Sequence, residues 1–188
     1  MIYHKKPDGT IEQIETTDEE NRIQKIQAYN LDKQLSEQRG IEFGTIYNDA
    51  DSLPDEDKIT LGIMTQKEYD AKQKNNKYIE IIGAFENNLS NGVFDSTILN
   101  MKVDCRRSNT KNDLQNVQGL ISYMTRNSIS TIDYVGYTEI KTNVTISMLE
   151  TLVEEMQDYA LTLYNKKWQI ETLINSCSSK EELETINW

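Results

Sequence analysis

The stretch SMLETLVEEMQDYALTLYNKKWQIETLINSC, Ser147 to Cys177, decides the fold class. Leu149, Leu152, Val153, Met156, Ala160, Leu163, Ile170 and Ile174 recur at helical spacing, which gathers them on one side of a helix. Ser147 with Glu150 matches a capping box, in which a hydroxyl and a carboxylate satisfy each other's orphan backbone N–H groups. A long helix is therefore expected from Ser147 to Cys177. Tyr159, Tyr164 and Trp168 fall partly off the main line, so the helix is apolar over more than one face. Either these rings cover a small local core under a last helix, the preferred reading, or they face a partner chain, where Trp and Tyr are enriched. Ser178, Ser179, Glu181 and Glu182 predict that last short helix, with Leu183 and Ile186 available for burial before Asn187-Trp188.

Upstream, Thr131–Val135 and Thr138–Ile140 flank Gly136-Tyr137 as strands or a hairpin. Asp113 to Met124 predicts a short helix with Leu114, Val117, Leu120, Ile121 and Met124 on one side. Ser96 to Asp104 reads as one strand, alternating from Leu99 onward. Thr65 and Glu68 form another capping box, opening a helix to Asn88 whose first half is polar. Its second half carries Tyr78, Ile81, Ile82, Phe85 and Leu89 at helical spacing.

The first third is more polar. Ile2–Lys6 and Thr10–Ile14 around Pro7-Asp8-Gly9 read as a hairpin. A charged helix follows from Asp18 to Arg39, with acids in the first turn where the helix dipole favours them and Gly40 at its end. Its apolar line is thin (Ile23, Ile26, Tyr29, Leu35, with Leu31 off it), which suits a helix lying against a neighbouring chain. Ile41 to Leu61 holds Asp49, Asp51, Asp55, Glu56 and Asp57 without the order of a calcium loop, so a solvated linker is expected. The class is α+β. The expected organisation is residues 1–90 as an N-terminal hairpin plus helical region for attachment or oligomerisation, and residues 91–188 as a small α+β domain ending in the long amphipathic helix and a short final one.

Composition narrows the function. Of 188 residues 37% are hydrophobic, below the roughly 45–50% usual in globular chains, so a large core is not expected. With 31 acidic against 20 basic side chains the formal net charge is −11, which argues against binding a nucleic-acid backbone. No apolar run approaches the roughly 18 residues of a membrane span, and Met1–Pro7 has no apolar signal core. His4 is the one imidazole and Cys105 and Cys177 the two thiols, with no C-x-x-C pair, so neither a metal nor a cofactor is expected. The thiols suit a reducing compartment, with a Cys105–Cys177 bridge as the less favoured alternative. His4, in a terminal strand beside two lysines, is expected to be exposed rather than a general base.

The most conspicuous polar cluster runs from Asp104 to Asp113. A hydrolase would use Asp104 as base and Arg106 or Arg107 as an anion clamp, yet no histidine, glycine-rich cradle or second spaced carboxylate completes such a site. The structural reading needs less: Asp104 accepts hydrogen bonds at a strand end, and Asn112 or Asp113 caps the next helix. Arg106, Arg107 and Lys111 are too few to make a nucleic-acid surface in an acidic field, and Lys72-Gln73-Lys74 and Lys166-Lys167 read as solvated helix faces.

One ordered set of fragments carries a resemblance. Gly92-Val93-Phe94-Asp95-Ser96, Val103-Asp104-Cys105-Arg106-Arg107, Asn112 to Leu120, Val144-Thr145-Ile146 before Leu149, Tyr164-Asn165-Lys166-Lys167-Trp168 and Glu181 to Trp188 follow in sequence. Together Phe94–Trp188 resembles a C-terminal domain, of unassigned function, found in short proteins encoded among bacteriophage and prophage tail and tail-fibre genes. The resemblance implies a tail component, or alternatively a fibre-assembly chaperone that binds a fibre subunit transiently, and brings no catalytic residue. Its expected partners are other tail or tail-fibre proteins, with self-association also open. Its expected location is the virion tail, and the host cytoplasm during assembly. On this reading Asp104, Arg106, Arg107, Tyr159, Tyr164, Trp168 and Trp188 are structural or interaction residues.

Overall fold

A computed structural model describes residues 1–188. The chain divides into two compact units, Met1–Lys72 and Gln73–Trp188. The division falls inside helix α3 (Gln66–Ser90), ahead of the 90/91 boundary read from the sequence. The reason lies in the helix's composition. Its polar first half buries little, whereas Ile81 in the second half is 1% exposed and packs with Ile170 and Ile174. The capping box at its start is formed: Thr65 N–H donates to Glu68 Oε2 at 2.8 Å, and Glu68 N–H donates to Thr65 Oγ1 at 3.2 Å.

In the first unit β1 (Ile2–Lys5) is the central strand of an antiparallel sheet. It pairs with β2 (Ile11–Ile14) on one side and β3 (Thr45–Tyr47) on the other. Side chains of a strand alternate between faces, and both faces of β1 are covered. His4 meets the ring of Tyr29 from α1 (Glu19–Gln38) at 5.3 Å between centroids and stacks on Phe43 at 4.7 Å. Lys5 reaches the other way, to both carboxylate oxygens of Asp57 in α2 (Asp55–Thr60) at 2.8 Å.

Two expectations are corrected here. His4 is buried, not exposed, and its Nε2 lies 2.7 Å from the Phe43 carbonyl. Ile41 to Leu61 is not a solvated linker: it supplies β3, α2, the buried Leu53 and the buried Asp57. Three-residue β3 is too short to alternate visibly, and its partner lies some forty residues away in the chain. Gly44 precedes it at φ +94, and a Cβ there would sit 2.1 Å from the Lys5 carbonyl oxygen. Only glycine fits that approach.

The second unit is organised by α5 (Ile146–Ser176), the helix expected from the sequence. Leu149, Leu152 and Met156 are fully buried. They meet Leu99, Met101 and Val103 of a hairpin, Val117 and Met124 of α4 (Asp113–Arg126) and Val144 of β7 (Ile140–Thr145). β7 pairs with β6 (Thr131–Val135) as a hairpin, its second strand starting at Ile140 where Thr138–Ile140 was expected, because Gly136 to Glu139 form the turn. Farther along, Ile170 and Ile174 meet Ile81 together with Leu183 and Ile186 at and after α6 (Lys180–Glu184), whose N-cap is Ser179. The N-cap of α5 is Thr145, not Ser147: the Thr145 Oγ1 accepts from the Met148 N–H at 3.2 Å. β7 runs straight into the helix, so its last extended residue takes the capping position.

Ser96–Asp104 is also not one strand. Its last four residues are β5 (Met101–Asp104), Thr97 to Asn100 are a turn with Asn100 at φ +52, and Ser96 ends the antiparallel partner β4 (Val93–Ser96). Glu155 of α5 holds the turn. Its carboxylate accepts from Ser96 Oγ at 2.5 Å, Thr97 N–H at 2.9 Å and Ile98 N–H at 3.0 Å. Leu99 still points into the core, which is why the alternation of Leu99, Met101 and Val103 looked continuous. Glu155→Ala leaves three donors without an acceptor; it is expected to cost about 2–4 kcal/mol, against about 0.5 or less for exposed Glu154→Ala. Urea denaturation of the two variants checks the contrast.

Candidate functional site

The polar cluster lies where β5 gives way to α4. The hairpin ladder extends one residue past β5, with Cys105 N–H donating to the Gly92 carbonyl at 2.9 Å. A Cβ at position 92 would lie 2.7 Å from the Cys105 carbonyl oxygen, so glycine permits this pairing. Arg107 then bridges to Asn112, and its N–H donates to the Leu89 carbonyl at 2.8 Å. This small loop returns the chain so that Asn112 caps α4, its side chain accepting from the Gln115 N–H at 3.1 Å.

The return brings Asp113 to Arg106. Asp113 Oδ2 accepts from the Arg106 backbone N–H at 3.0 Å and from its Nε at 3.2 Å. Arg106 Nη2 donates to Asp104 Oδ2 at 2.8 Å. One guanidinium therefore ties the end of a strand to the start of a helix. All three side chains are largely withdrawn from water, at 29%, 21% and 17% exposure for Arg106, Asp104 and Asp113. Asp104 Oδ1 is buried without a hydrogen-bond partner. Arg107 takes part through its backbone and stays exposed. The sequence named Asp104, Arg106 and Arg107 together; the structure brings Asp104, Arg106 and Asp113 into the ion pairs.

A recess of about 200 Å³ opens beside this latch, lined by Asp104, Asp113, Asn116, Val117, Leu120, Tyr134 and Val135. Tyr134, which lines it, and Cys105, at the end of β5, both hold their protons near neutrality. Burial, then the negative charges of Asp113 and Asp104, push the Tyr134 phenol up to about 12. Burial, then Asp113, pushes the Cys105 thiol up to about 11. A cysteine in that condition is a small core residue rather than a nucleophile. A guanidinium held between two carboxylates has little field left for an incoming anion. No group of three or more His, Cys, Asp or Glu side chains is arranged to hold a metal ion, and no helix is long and apolar enough to cross a membrane.

The ring-bearing residues occupy separate places. Tyr159 stacks on Phe94 at 5.5 Å, within the periphery of the main core. Tyr164 meets Phe85 edge-on at 4.9 Å, and Trp188 meets the same ring at 5.9 Å with Lys166 Nζ 4.8 Å from the indole centroid. Trp168 tilts against Tyr164 at 5.8 Å and leaves half its surface in water. The local core therefore accounts for Tyr159, Tyr164 and Trp188, and much less completely for Trp168. Sequence reasoning missed Glu155 and the Lys5–Asp57 pair. Neither carries a local signal, since each is one acidic residue among several.

No family model matches the chain, no curated protein is similar to it, and no solved structure matches its fold.

Both cysteines are free, Cys105 buried and Cys177 half-buried. An aromatic disulfide reagent at mildly alkaline pH is expected to modify Cys177 rapidly and Cys105 only on unfolding, which thiol-release kinetics with and without denaturant measure. Arg106→Gln is expected to lower stability by about 1–3 kcal/mol by leaving two close carboxylates unpaired. Arg107→Gln should stay within about 0.5 kcal/mol, because only its backbone is engaged. Thermal unfolding of the two variants separates them.

Proposed function

We propose that the protein is a non-enzymatic component of a bacteriophage tail, a tail-fibre or baseplate accessory protein that works through contacts with other tail proteins. The observation that carries this reading is the contrast between its polar and apolar surfaces. The polar cluster around Arg106 is spent on itself, as a latch between β5 and α4. Large apolar side chains meanwhile stand in water on an ordered frame. Val135 and Ile140, 69% and 64% exposed, face each other directly across the β6–β7 ladder, with half-exposed Tyr137 at the tip between them.

That tip is rigidly placed. Tyr137 N–H donates to the Lys102 carbonyl at 2.9 Å, and a Cβ on Gly136 would lie 2.6 Å from the same oxygen. A fixed, exposed apolar pair suits association, because little side-chain or loop entropy remains to be lost on docking. The resemblance of Phe94–Trp188 to tail-region domains supplies the setting, and the acidic charge is compatible with a protein partner and unfavourable for DNA. Quantitative mass spectrometry of purified particles tests the proposal. A fixed copy number per particle is expected. Expression during infection without incorporation would refute the component and point to an assembly chaperone.

A further inference from the structure

Helix α3 hands over to β4 through Asn91-Gly92, the one place in the chain where glycine directly follows asparagine. Such a pair carries a reaction of its own. With no Cβ beside it, the glycine nitrogen reaches the carboxamide carbon of the preceding asparagine more freely than the nitrogen of any other residue. Here the fold holds both partners. Asn91 is exposed, yet its side chain is folded back on the last helical turn: Nδ2 donates to Asn87 Oδ1 at 2.9 Å and to the Asn87 carbonyl at 3.1 Å. Gly92 is buried, and its carbonyl accepts from the Cys105 N–H at 2.9 Å. A Cβ at position 92 would meet the Cys105 carbonyl oxygen at 2.7 Å and the Tyr159 ring at 3.2 Å, so the packing itself demands the glycine and keeps the reactive pair. On the other side of Asn91, the Leu89 carbonyl accepts from the Arg107 N–H at 2.8 Å. Cys105 and Arg107 thus clasp the chain before and after Asn91.

We propose that Asn91 is a self-modifying site, deamidated through Gly92 when this clasp opens and protected while it is closed. A base takes the Gly92 amide proton, the nitrogen bonds to Asn91 Cγ, and the Cγ–Nδ2 bond breaks with Nδ2 leaving as ammonia. Water then opens the five-membered imide at either carbonyl, which gives aspartate or, with the main chain rerouted through the side chain, isoaspartate. The closed clasp opposes every part of this. The base must reach a buried residue, ring closure must turn Gly92 away from Cys105, and Nδ2 must leave Asn87. The products fit badly as well. Isoaspartate adds one carbon to the backbone directly before a glycine that has no room to move. Aspartate sets an acceptor where a donor faced the Asn87 carbonyl, and puts negative charge at the C-terminal end of α3, where the helix dipole disfavours it. A chain modified while open therefore closes less well, and the reaction runs one way.

The test is incubation of the full chain at mildly alkaline pH and body temperature, in native buffer and in concentrated urea. Peptide mapping by mass spectrometry follows the loss of each asparagine, and enzymatic methylation counts isoaspartate. In urea Asn91 is expected to be the first asparagine lost. In native buffer its loss should be at least about tenfold slower, because the reaction waits for local opening. Asn87→Ala, at an exposed helical position, removes one tether of Nδ2 and should speed the native reaction severalfold while leaving the urea rate unchanged. Asn91→Asp, made directly, should fold with a lower melting midpoint than the parent chain. Another asparagine lost first in urea overturns the site, and equal rates in native buffer and urea overturn the protection. Indifference of the native rate to Asn87→Ala overturns the tether, and an unchanged melting midpoint for Asn91→Asp overturns the misfit of the product.

Discussion

The second unit depends on one helix serving two cores. Leu149, Leu152 and Met156 close the core built from the β4–β5 hairpin, α4 and β7, and Ile170 and Ile174 close the one built from α3 and the last helix. At 31 residues α5 is about 46 Å long, too long for one small core to cover. Between the two clusters its contacts are aromatic: Tyr159 on Phe94, then Tyr164 on Phe85. Neither core can shift along the helix without displacing the other. The helix is thus a rigid ruler, and the hairpins and short helices are placed by where they meet it.

What the sequence revealed divides along a physical line. Elements whose identity is written in a local period were legible: the second half of α3, α4, α5 and the last helix, and the hairpins around Pro7-Asp8-Gly9 and Gly136-Tyr137. What escaped were features fixed by polar contacts between residues far apart in the chain. Glu155 holds a turn nearly sixty residues upstream and thereby breaks an apparently continuous strand in two. His4 is buried because rings from α1 and the segment before β3 close over it, and no neighbour in the sequence predicts that. Of the polar cluster, the sequence identified the region. It did not separate Arg106 from Arg107, because which of two adjacent arginines turns inward depends on the backbone bridge that Arg107 makes to Asn112.

That bridge also returns the chain so that the ionisable groups of the cluster meet one another as a latch. An acid or base near neutrality needs a perturbed group poised to exchange a proton, and a clamp needs a cation with capacity to spare. Here burial and the neighbouring carboxylates push Tyr134 and Cys105 toward their protonated forms. Arg106, which pairs with both Asp104 and Asp113, is shared by two carboxylates. The electrostatics are directed at keeping β5 against α4.

The two units are held together by different means. Between Met1 and Lys72 the buried apolar side chains are Ile2, Tyr3, Leu53 and Tyr69, a short set for a unit of that length. Polar links do the rest: Lys5 to Asp57, Lys72 to Asp55, Arg22 to Glu19, and the caps of Asp18 and Thr65. Accepting such bonds holds Asp18, Asp49, Asp55 and Glu68 below the ordinary carboxylate range, so they remain charged and committed to their partners. Exposed ion pairs and caps contribute little each, and small units with thin cores are marginal on their own. A unit so made gains disproportionately from any further apolar surface it can cover. Ile23, Leu31 and Leu35 of α1, all well exposed, are part of such a reserve.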